Sequence, residues 1–360
     1  MDKLINNPSV SVIMSVYNGE RFLKEAVESI LAQSFTDLEF IIIDDGSTDQ
    51  SARILENYND SRIIRIKNAS NIGLTKSLNL GLKKARGFYI ARIDADDISK
   101  PGRLAAQIAY LNSNPQIAVL GSAYETIDEN SKLIQTFYPP SCPLVITWSL
   151  LFGNPIAHSS VVYRRDIILQ LGGYDENILY AQDYDLWSRI TEKGFMISVL
   201  NIPLIQLRNH KAQITLIKQT RSRETALNIA RKNLQQLLGQ PVNQLIVVCF
   251  LKFNDSVPEP GLLDNIYRTF DQCLFRFTDK HLMRYDERRK LLEAALIKLI
   301  SIARFSEGKR MMALNIVLRY ALRYSPASLV TPKLIKFAAK IILPAIIRQY
   351  FRSKSSIVQI

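Results

Sequence analysis

Three apolar runs in the first hundred residues each end abruptly in polar side chains, and this punctuation restricts the chain to few folds. Val10-Ser11-Val12-Ile13-Met14-Ser15-Val16 is followed by Tyr17-Asn18-Gly19-Glu20. Phe40-Ile41-Ile42-Ile43 runs into Asp44-Asp45-Gly46-Ser47-Thr48-Asp49, and Tyr89-Ile90-Ala91-Arg92-Ile93 into Asp94-Ala95-Asp96-Asp97. Between the first two runs, Phe22, Leu23, Ala26, Val27, Ile30 and Leu31 recur at helical spacing, predicting a helix over about 21–32. Continuous apolar strands alternating with amphipathic helices predict a parallel sheet covered on both faces. In open sheets of this kind ligands collect beyond the carboxyl ends of the strands. Tyr17, Asp45 and Asp96 are therefore expected on one rim.

Asp94 and Asp96, one residue apart, can converge where their strand ends. Hard divalent cations take oxygen ligands, and Mg²⁺ commonly uses one or two carboxylates together with substrate phosphates. A metal-bridged diphosphate is the ligand this pattern points to. Asp97 is either a further ligand or a cap for the segment beginning near Pro101. Asp45 reads equally as a ligand-binding acid and as a turn residue, with Ser47 as cap of the next helix. Tyr17 reads as a nucleotide contact or as a half-buried core tyrosine. Asn71-Ile72-Gly73 is a binding loop or simply a turn that needs a positive backbone dihedral at Gly73.

In order along the chain, these segments resemble family 2 glycosyltransferases, with the nucleotide-diphospho-sugar transferase fold known as GT-A. The similarity is carried by Val10 to Asn18, Gln33-Ser34-Phe35, Ile43 to Asp49, Asn71-Ile72-Gly73, Asn79, Gly81, Ala85-Arg86-Gly87, Ile93 to Asp97, Pro101 and Arg103-Leu104. Gly172 to Glu176 and Asp183-Tyr184-Asp185-Leu186-Trp187 extend it to about residues 8–215. The resemblance implies a mixed, mostly parallel α/β sheet flanked by helices. It further implies that Tyr17, Asn18, Glu20 and Asp45 contact the base or ribose of a nucleotide-diphospho-sugar donor. Asn71 and Gly73 would lie beside the nucleotide or its phosphates. Asp94 and Asp96 would handle a divalent metal, Mg²⁺ or Mn²⁺, and the diphosphate.

Inverting sugar transfer needs an acceptor hydroxyl that loses its proton as it attacks, which a positioned carboxylate accepts as general base. Family members commonly carry a Glu-Asp pair in this role; here it reads Gln182-Asp183. The candidate base is Asp183, and loss of the neighbouring acid removes like-charge repulsion from it. The competing reading is that Asp183 and Asp185 merely favour a helix N-terminus. Leu207-Arg208-Asn209-His210 resembles the end of the catalytic region, so Arg208 or His210 is expected to hold diphosphate or metal. His158, in Asn154-Pro155-Ile156-Ala157-His158-Ser159, is expected on the acceptor side, as a sugar contact or a structural one.

Charge divides the 360-residue chain. Residues 1–215 carry 21 Lys/Arg against 23 Asp/Glu, and residues 216–360 carry 25 against 10, so the net +13 belongs to the tail. The expected organisation is a catalytic domain over 1–215 and a basic, mainly helical region over 216–360. Helical spacing is read over Lys290–Phe305 and Met311–Tyr324, a loop at Pro258, Pro260 and Gly261, and a basic amphipathic stretch from Lys333 to Phe351. Such a stretch suits either an anionic membrane surface or packing on the catalytic domain. No uninterrupted apolar run approaches the roughly 18 residues that span a bilayer. With no signal-peptide core and three unpatterned cysteines, Cys142, Cys249 and Cys273, buried thiols and a cytosolic site are expected, peripheral at the inner face of the cell membrane.

The function expected is metal-dependent inverting transfer of a sugar to a glycan or lipid-linked acceptor, in surface polysaccharide assembly. Two alternatives stand beside it: a nucleotidyltransferase, and a catalytically weak sugar-nucleotide-binding protein that recruits partners. Nucleic acid is not an expected partner, since the basic tail carries no recognised motif.

Overall fold

A computed structural model describes residues 7–210, 219–251, 253, 260–303, 314–315, 318–319 and 322. The chain forms two compact units, Met1–Ile229 and Ala230–Ile360.

The first unit begins with the predicted parallel sheet. β1 (Val10–Val16), β2 (Leu38–Asp44), β3 (Ile63–Lys67) and β4 (Tyr89–Arg92) lie in the order β3-β2-β1-β4, all parallel. They are linked by α1 (Leu23–Leu31), α2 (Ser51–Glu56) and α3 (Leu74–Lys84). β1 and β2 are buried along almost their whole length, which is why both read as unbroken apolar runs. Their register sets the rim. Val16 pairs with Asp44, and the N–H of Asp45 donates to the Val16 carbonyl at 2.8 Å, so Tyr17 and Asp45 leave the sheet at one height. Ile13 pairs with Arg92 and its carbonyl accepts the Ile93 N–H at 3.3 Å, so the turn carrying Asp94 to Asp97 leaves the neighbouring strand at the same rim.

The rest of the sheet is mixed. β5 (Ile98–Ser99), α4 (Arg103–Ser113), β6 (Ile117–Ile127) and β7 (Leu133–Phe137) follow β4. Next come α5 (Pro143–Ser149), a 3-10 turn at His158–Ser160, β8 (Val162–Arg164), α6 (Arg165–Gln170), α7 (Gln182–Glu192) and β9 (Met196–Arg208). β8 runs antiparallel between β4 and β6, so β6 and its parallel partner β9 point the same way as β1 to β4. The outcome is the mostly parallel α/β sheet of the GT-A type. The 13-residue β9 matters most for the site: it lies between β6, with which it pairs along its length, and β5, with which it pairs antiparallel, Ser99 opposite Ile205 and Ile98 opposite Gln206. Because β5 directly follows the acid cluster, the end of β9 arrives beside Asp96 and Asp97.

Two sequence expectations shift at their edges. α1 spans Leu23–Leu31 rather than 21–32, because the turn at Gly19 supplies its first carbonyl, accepting from Phe22 and Leu23. Ser47 does not cap α2, which starts four residues later at Ser51; its hydroxyl instead accepts the Asn18 N–H.

In the second unit the described helices are α8 (Gln219–Leu238, which begins in the first unit), α9 (Gln244–Leu251), α10 (Pro260–Lys280) and α11 (Tyr285–Ala303). Pro260 opens α10 instead of marking a loop, since a first-turn proline forfeits no helical hydrogen bond. Most of Met311–Tyr324 and all of Lys333–Phe351 lie outside the described residues, as does Pro258. Among the described residues no helix is long and apolar enough to cross a membrane. Cys249 and Cys273 are buried and Cys142 partly so, all as free thiols.

Candidate active site

The β2 rim is organised by Asp45. It is buried, and Oδ1 accepts from Asn68 Nδ2 at 2.8 Å and the Ile72 N–H at 3.0 Å, while Oδ2 accepts the Gly73 N–H at 2.9 Å. Asp45 thus shapes the Asn71–Gly73 loop, where Gly73 takes the positive φ of +94° that its sequence context suggested. Gly46 beside it is obligatory: at φ +74° an added Cβ would lie 2.5 Å from the Ser70 carbonyl carbon. Asn71 itself is exposed. The β1 turn interlocks with the same rim. Asn18, at φ +51°, accepts the Thr48 N–H on Oδ1 at 2.8 Å, and Glu20 accepts the Gln50 N–H at 2.8 Å. Tyr17 is the residue left projecting, 50% exposed, which suits a face for a planar base rather than a core tyrosine.

The acids after β4 have three different environments. Asp94 pairs with the fully buried Arg92 and accepts the Ser159 hydroxyl on Oδ2 at 2.8 Å, while its own N–H donates to Ser159 Oγ at 2.9 Å. Burial pushes the Asp94 carboxyl up, but Arg92 and the Ser159 hydroxyl hold it below the ordinary range. Asp96 Oδ2 stands 2.8 Å from His210 Nε2. Asp97 is buried and accepts the Arg208 N–H at 3.0 Å; burial, with Asp96 and Asp94 nearby, pushes its carboxyl well up. Asp97 therefore anchors the end of β9 and is neither an exposed ligand nor a helix cap. Arg208, the other diphosphate candidate, is consumed structurally: Nε donates to the Asp96 carbonyl at 3.1 Å and Nη2 to Glu25 at 2.7 Å. Phe22 packs under both, with the Arg208 guanidinium 4.5 Å and the His210 ring 4.9 Å from its centroid.

Asp96 and His210 place an oxygen and a nitrogen of kinds that take divalent cations side by side, hydrogen-bonded to each other at 2.8 Å. Among the described residues no group of three His, Cys, Asp or Glu side chains is arranged to hold a metal. Two protein ligands leave the remaining positions to diphosphate and water, as Mg²⁺ sites commonly do. Asp94 shares the acid cluster but has Arg92 and Ser159 as its partners.

Asp183 sits in the first turn of α7, immediately after Ala181, whose φ of +54° is a left-handed conformation costly for a residue with a Cβ. Oδ1 accepts the Tyr184 N–H at 2.8 Å and Oδ2 accepts Asn154 Nδ2 at 2.8 Å. Burial raises this carboxyl to about 6, and the charge of Asp94 adds to the rise. The chain ties Asp183 to the acid cluster: Asn154 touches Asp183 and Ser159 touches Asp94, and the five-residue step from one to the other spans at most about 18 Å. Asp185 points elsewhere, pairing with Arg189 at 2.7 Å, whose guanidinium also holds the Leu171 and Gly173 carbonyls. Gln182 is buried, a place where a second acid would add cost and repulsion. His158 donates or accepts at Tyr174 Oη, 2.8 Å away, and burial beside Arg92 lowers it to about 3, so it is a neutral wall of the cavity.

Three participants are absent from the sequence reading as named roles: Arg92, Ser159 and Asn154. Arg92 had a legible signal, since an arginine inside an apolar strand must find an acid, and Asp94 follows two residues later.

Residues 11–168 match the description glycosyl transferase family 2. An uncharacterized glycosyltransferase of Haemophilus influenzae is 35% identical over 310 residues, 79% of this chain and 95% of that protein. The amylovoran biosynthesis glycosyltransferase AmsE of Erwinia amylovora is 32% identical over 202 residues, 55% of this chain and 75% of that protein. Among solved structures, TarS 1-349 of S. aureus in complex with UDP-GlcNAc shares the fold at a TM-score of 0.53 and 20% identity, covering 89% of this chain and 88% of that one. With its GT-A sheet, its acid cluster and a full-length relative at this identity, the chain belongs to glycosyltransferase family 2.

Proposed function

We propose that this glycosyltransferase moves a sugar, with inversion and with the help of a divalent cation, from a nucleotide-diphospho-sugar to a glycan or lipid-linked hydroxyl. The observation that carries the reading is the raised, hydrogen-bonded Asp183 carboxylate, which feels the charge of Asp94 and is tied through the Asn154–Ser159 segment to the Asp94/Asp96/His210 cluster. Tyr17 and the loop held by Asp45 receive the nucleotide. Asp96 and His210 would hold the cation, which would neutralise charge on the departing diphosphate. Asp183 accepts the acceptor's hydroxyl proton as the oxygen attacks the anomeric carbon. The new carbon–oxygen bond forms as the bond to the diphosphate oxygen breaks, and the nucleoside diphosphate leaves with that electron pair. Neutral His158 and its tyrosine partner wall the cavity without competing for the proton.

Participation in polysaccharide assembly is supported by the relative named for amylovoran biosynthesis. The basic region, 25 Lys/Arg against 10 Asp/Glu over 216–360, supports attachment to the anionic inner face of a membrane. A screen of nucleotide sugars, UDP-GlcNAc among them, for Mg²⁺- or Mn²⁺-dependent release of the nucleotide tests the reading. Release that requires both metal and an acceptor supports it. Donor binding with no turnover on any glycan or lipid-linked acceptor favours a recruitment protein, and nucleotide transfer with pyrophosphate release favours a nucleotidyltransferase.

A further inference from the structure

We infer that Asn154 is a positioning residue for Asp183, fixing one carboxylate oxygen on the cavity side and keeping the group ready to take a proton. The inference rests on the reading of Asp183 as general base.

The geometry leaves Asn154 one orientation. Its Oδ1 accepts the Ile156 N–H at 3.0 Å and its Nδ2 donates to Asp183 Oδ2 at 2.8 Å. A flipped amide would set an oxygen against the carboxylate and an amine against the Ile156 N–H, losing both bonds. The donor therefore cannot turn into an acceptor. The Tyr184 N–H fixes the other oxygen, so both oxygens of Asp183 are held from separate directions, each with a lone pair left to accept an acceptor hydroxyl.

The surroundings explain why such a donor is needed. The charged and titratable groups facing Asp183 are Asp94, from the end of β4, which opposes its ionisation, and Tyr174, from the turn after Gly173, which carries no positive charge. Arg189, six residues further along α7, is committed to Asp185. Burial and Asp94 both favour the protonated acid, and the hydrogen bonds from Asn154 and Tyr184 act the other way. Of the two donors, the Tyr184 N–H belongs to the backbone, whereas Asn154 is a side chain that can be exchanged. The same segment continues to Ser159 on Asp94, so one stretch of chain holds the carboxylates on both sides of the cavity.

The test compares wild type with Asn154→Ala and Asn154→Asp in metal-free protein. The Asp183 carboxyl is titrated by ¹³C NMR, its resonance assigned by loss in Asp183→Asn. The pH dependence of kcat/KM for transfer is measured alongside, with metal added. Asn154→Asp keeps the size and the Ile156 contact while removing the donor, so it separates positioning from simple packing. The Asp183 titration is expected to move up by about one pH unit in Asn154→Ala and further in Asn154→Asp. The acidic limb of kcat/KM should follow, with kcat/KM at pH 6 falling about fivefold in Asn154→Ala and donor Kd unchanged. A titration and an acidic limb in Asn154→Asp that both overlay wild type would overturn the inference. If wild type transfers no sugar at all, the base reading fails, while the NMR titration still decides whether Asn154 controls Asp183.

Discussion

His210 Nε2 lies 2.8 Å from Asp96 Oδ2 although 114 residues separate the two in the chain. The cause is the long β9 strand, which runs between β6 and β5, the short strand that follows the acid cluster. Arg208 then locks the junction, its N–H on Asp97 and its guanidinium on the Asp96 carbonyl. The two side chains are therefore held together before any cation arrives, and a cation would replace the hydrogen bond between them. Asp96→Asn and His210→Ala are each expected to weaken Mn²⁺ binding by at least about tenfold, read by the electron spin resonance of free Mn²⁺. Equal Mn²⁺ affinity in wild type and both variants would remove the pair from the metal site.

Asp45 holds the Ile72 and Gly73 N–H groups with separate oxygens. Asp45→Asn keeps the shape but offers one acceptor in place of two, leaving a buried donor unpaired at a cost of about 1–3 kcal/mol. Nucleotide affinity is expected to fall about five- to a hundredfold, measured by calorimetry with the cognate nucleoside diphosphate. An unchanged affinity would mean that the Asn71–Gly73 loop has no part in the nucleotide site.

The raised Asp183 carboxyl also leaves a mark on stability. Its folded value of about 6 lies above the ordinary 3.8, so the folded state favours the protonated acid. That contribution is fully present below about pH 4 and is lost as pH rises to about 6. The full difference corresponds to at most about 3 kcal/mol. Asp183→Asn cannot ionise, so urea denaturation should find it gaining on wild type between pH 4 and pH 7. A stability difference that stays flat across that window would place the Asp183 carboxyl at its ordinary value.

Each Lys or Arg close to an anionic surface contributes about 1 kcal/mol, and residues 333–360 hold six of them with no acid. Deleting residues 333–360 is expected to weaken binding to phosphatidylserine-containing vesicles while leaving donor affinity unchanged. Vesicle binding that survives the deletion at low and moderate salt would rule the segment out as the attachment site.

Much of the sheet was legible because its central strands are buried on both faces and therefore continuously apolar, as β1 and β2 are. That Tyr17, Asp45 and the turn carrying Asp96 leave one rim followed from where those runs stop. The pairing of β9 with β5 was not legible, since β5 is only two residues long and carries no apolar signature. Hence Asp97 and Arg208, which read as ligand candidates, prove to be the fastening of β9. Asn154 and Ser159 could be named as a segment but not paired with their acids, because hydrogen bonds across 29 and 65 residues leave no local pattern. The left-handed Ala181 was equally hidden, for alanine gives no hint of a positive φ.

The decisive measurement is transfer by Asp183→Asn set against its affinity for the donor. A group that only receives the acceptor's proton leaves donor binding near the wild-type value and lowers kcat by about a hundredfold or more. Transfer at the wild-type rate by this variant, with the donor equally well bound, would contradict the assignment of Asp183 and the two-sided cavity built around it.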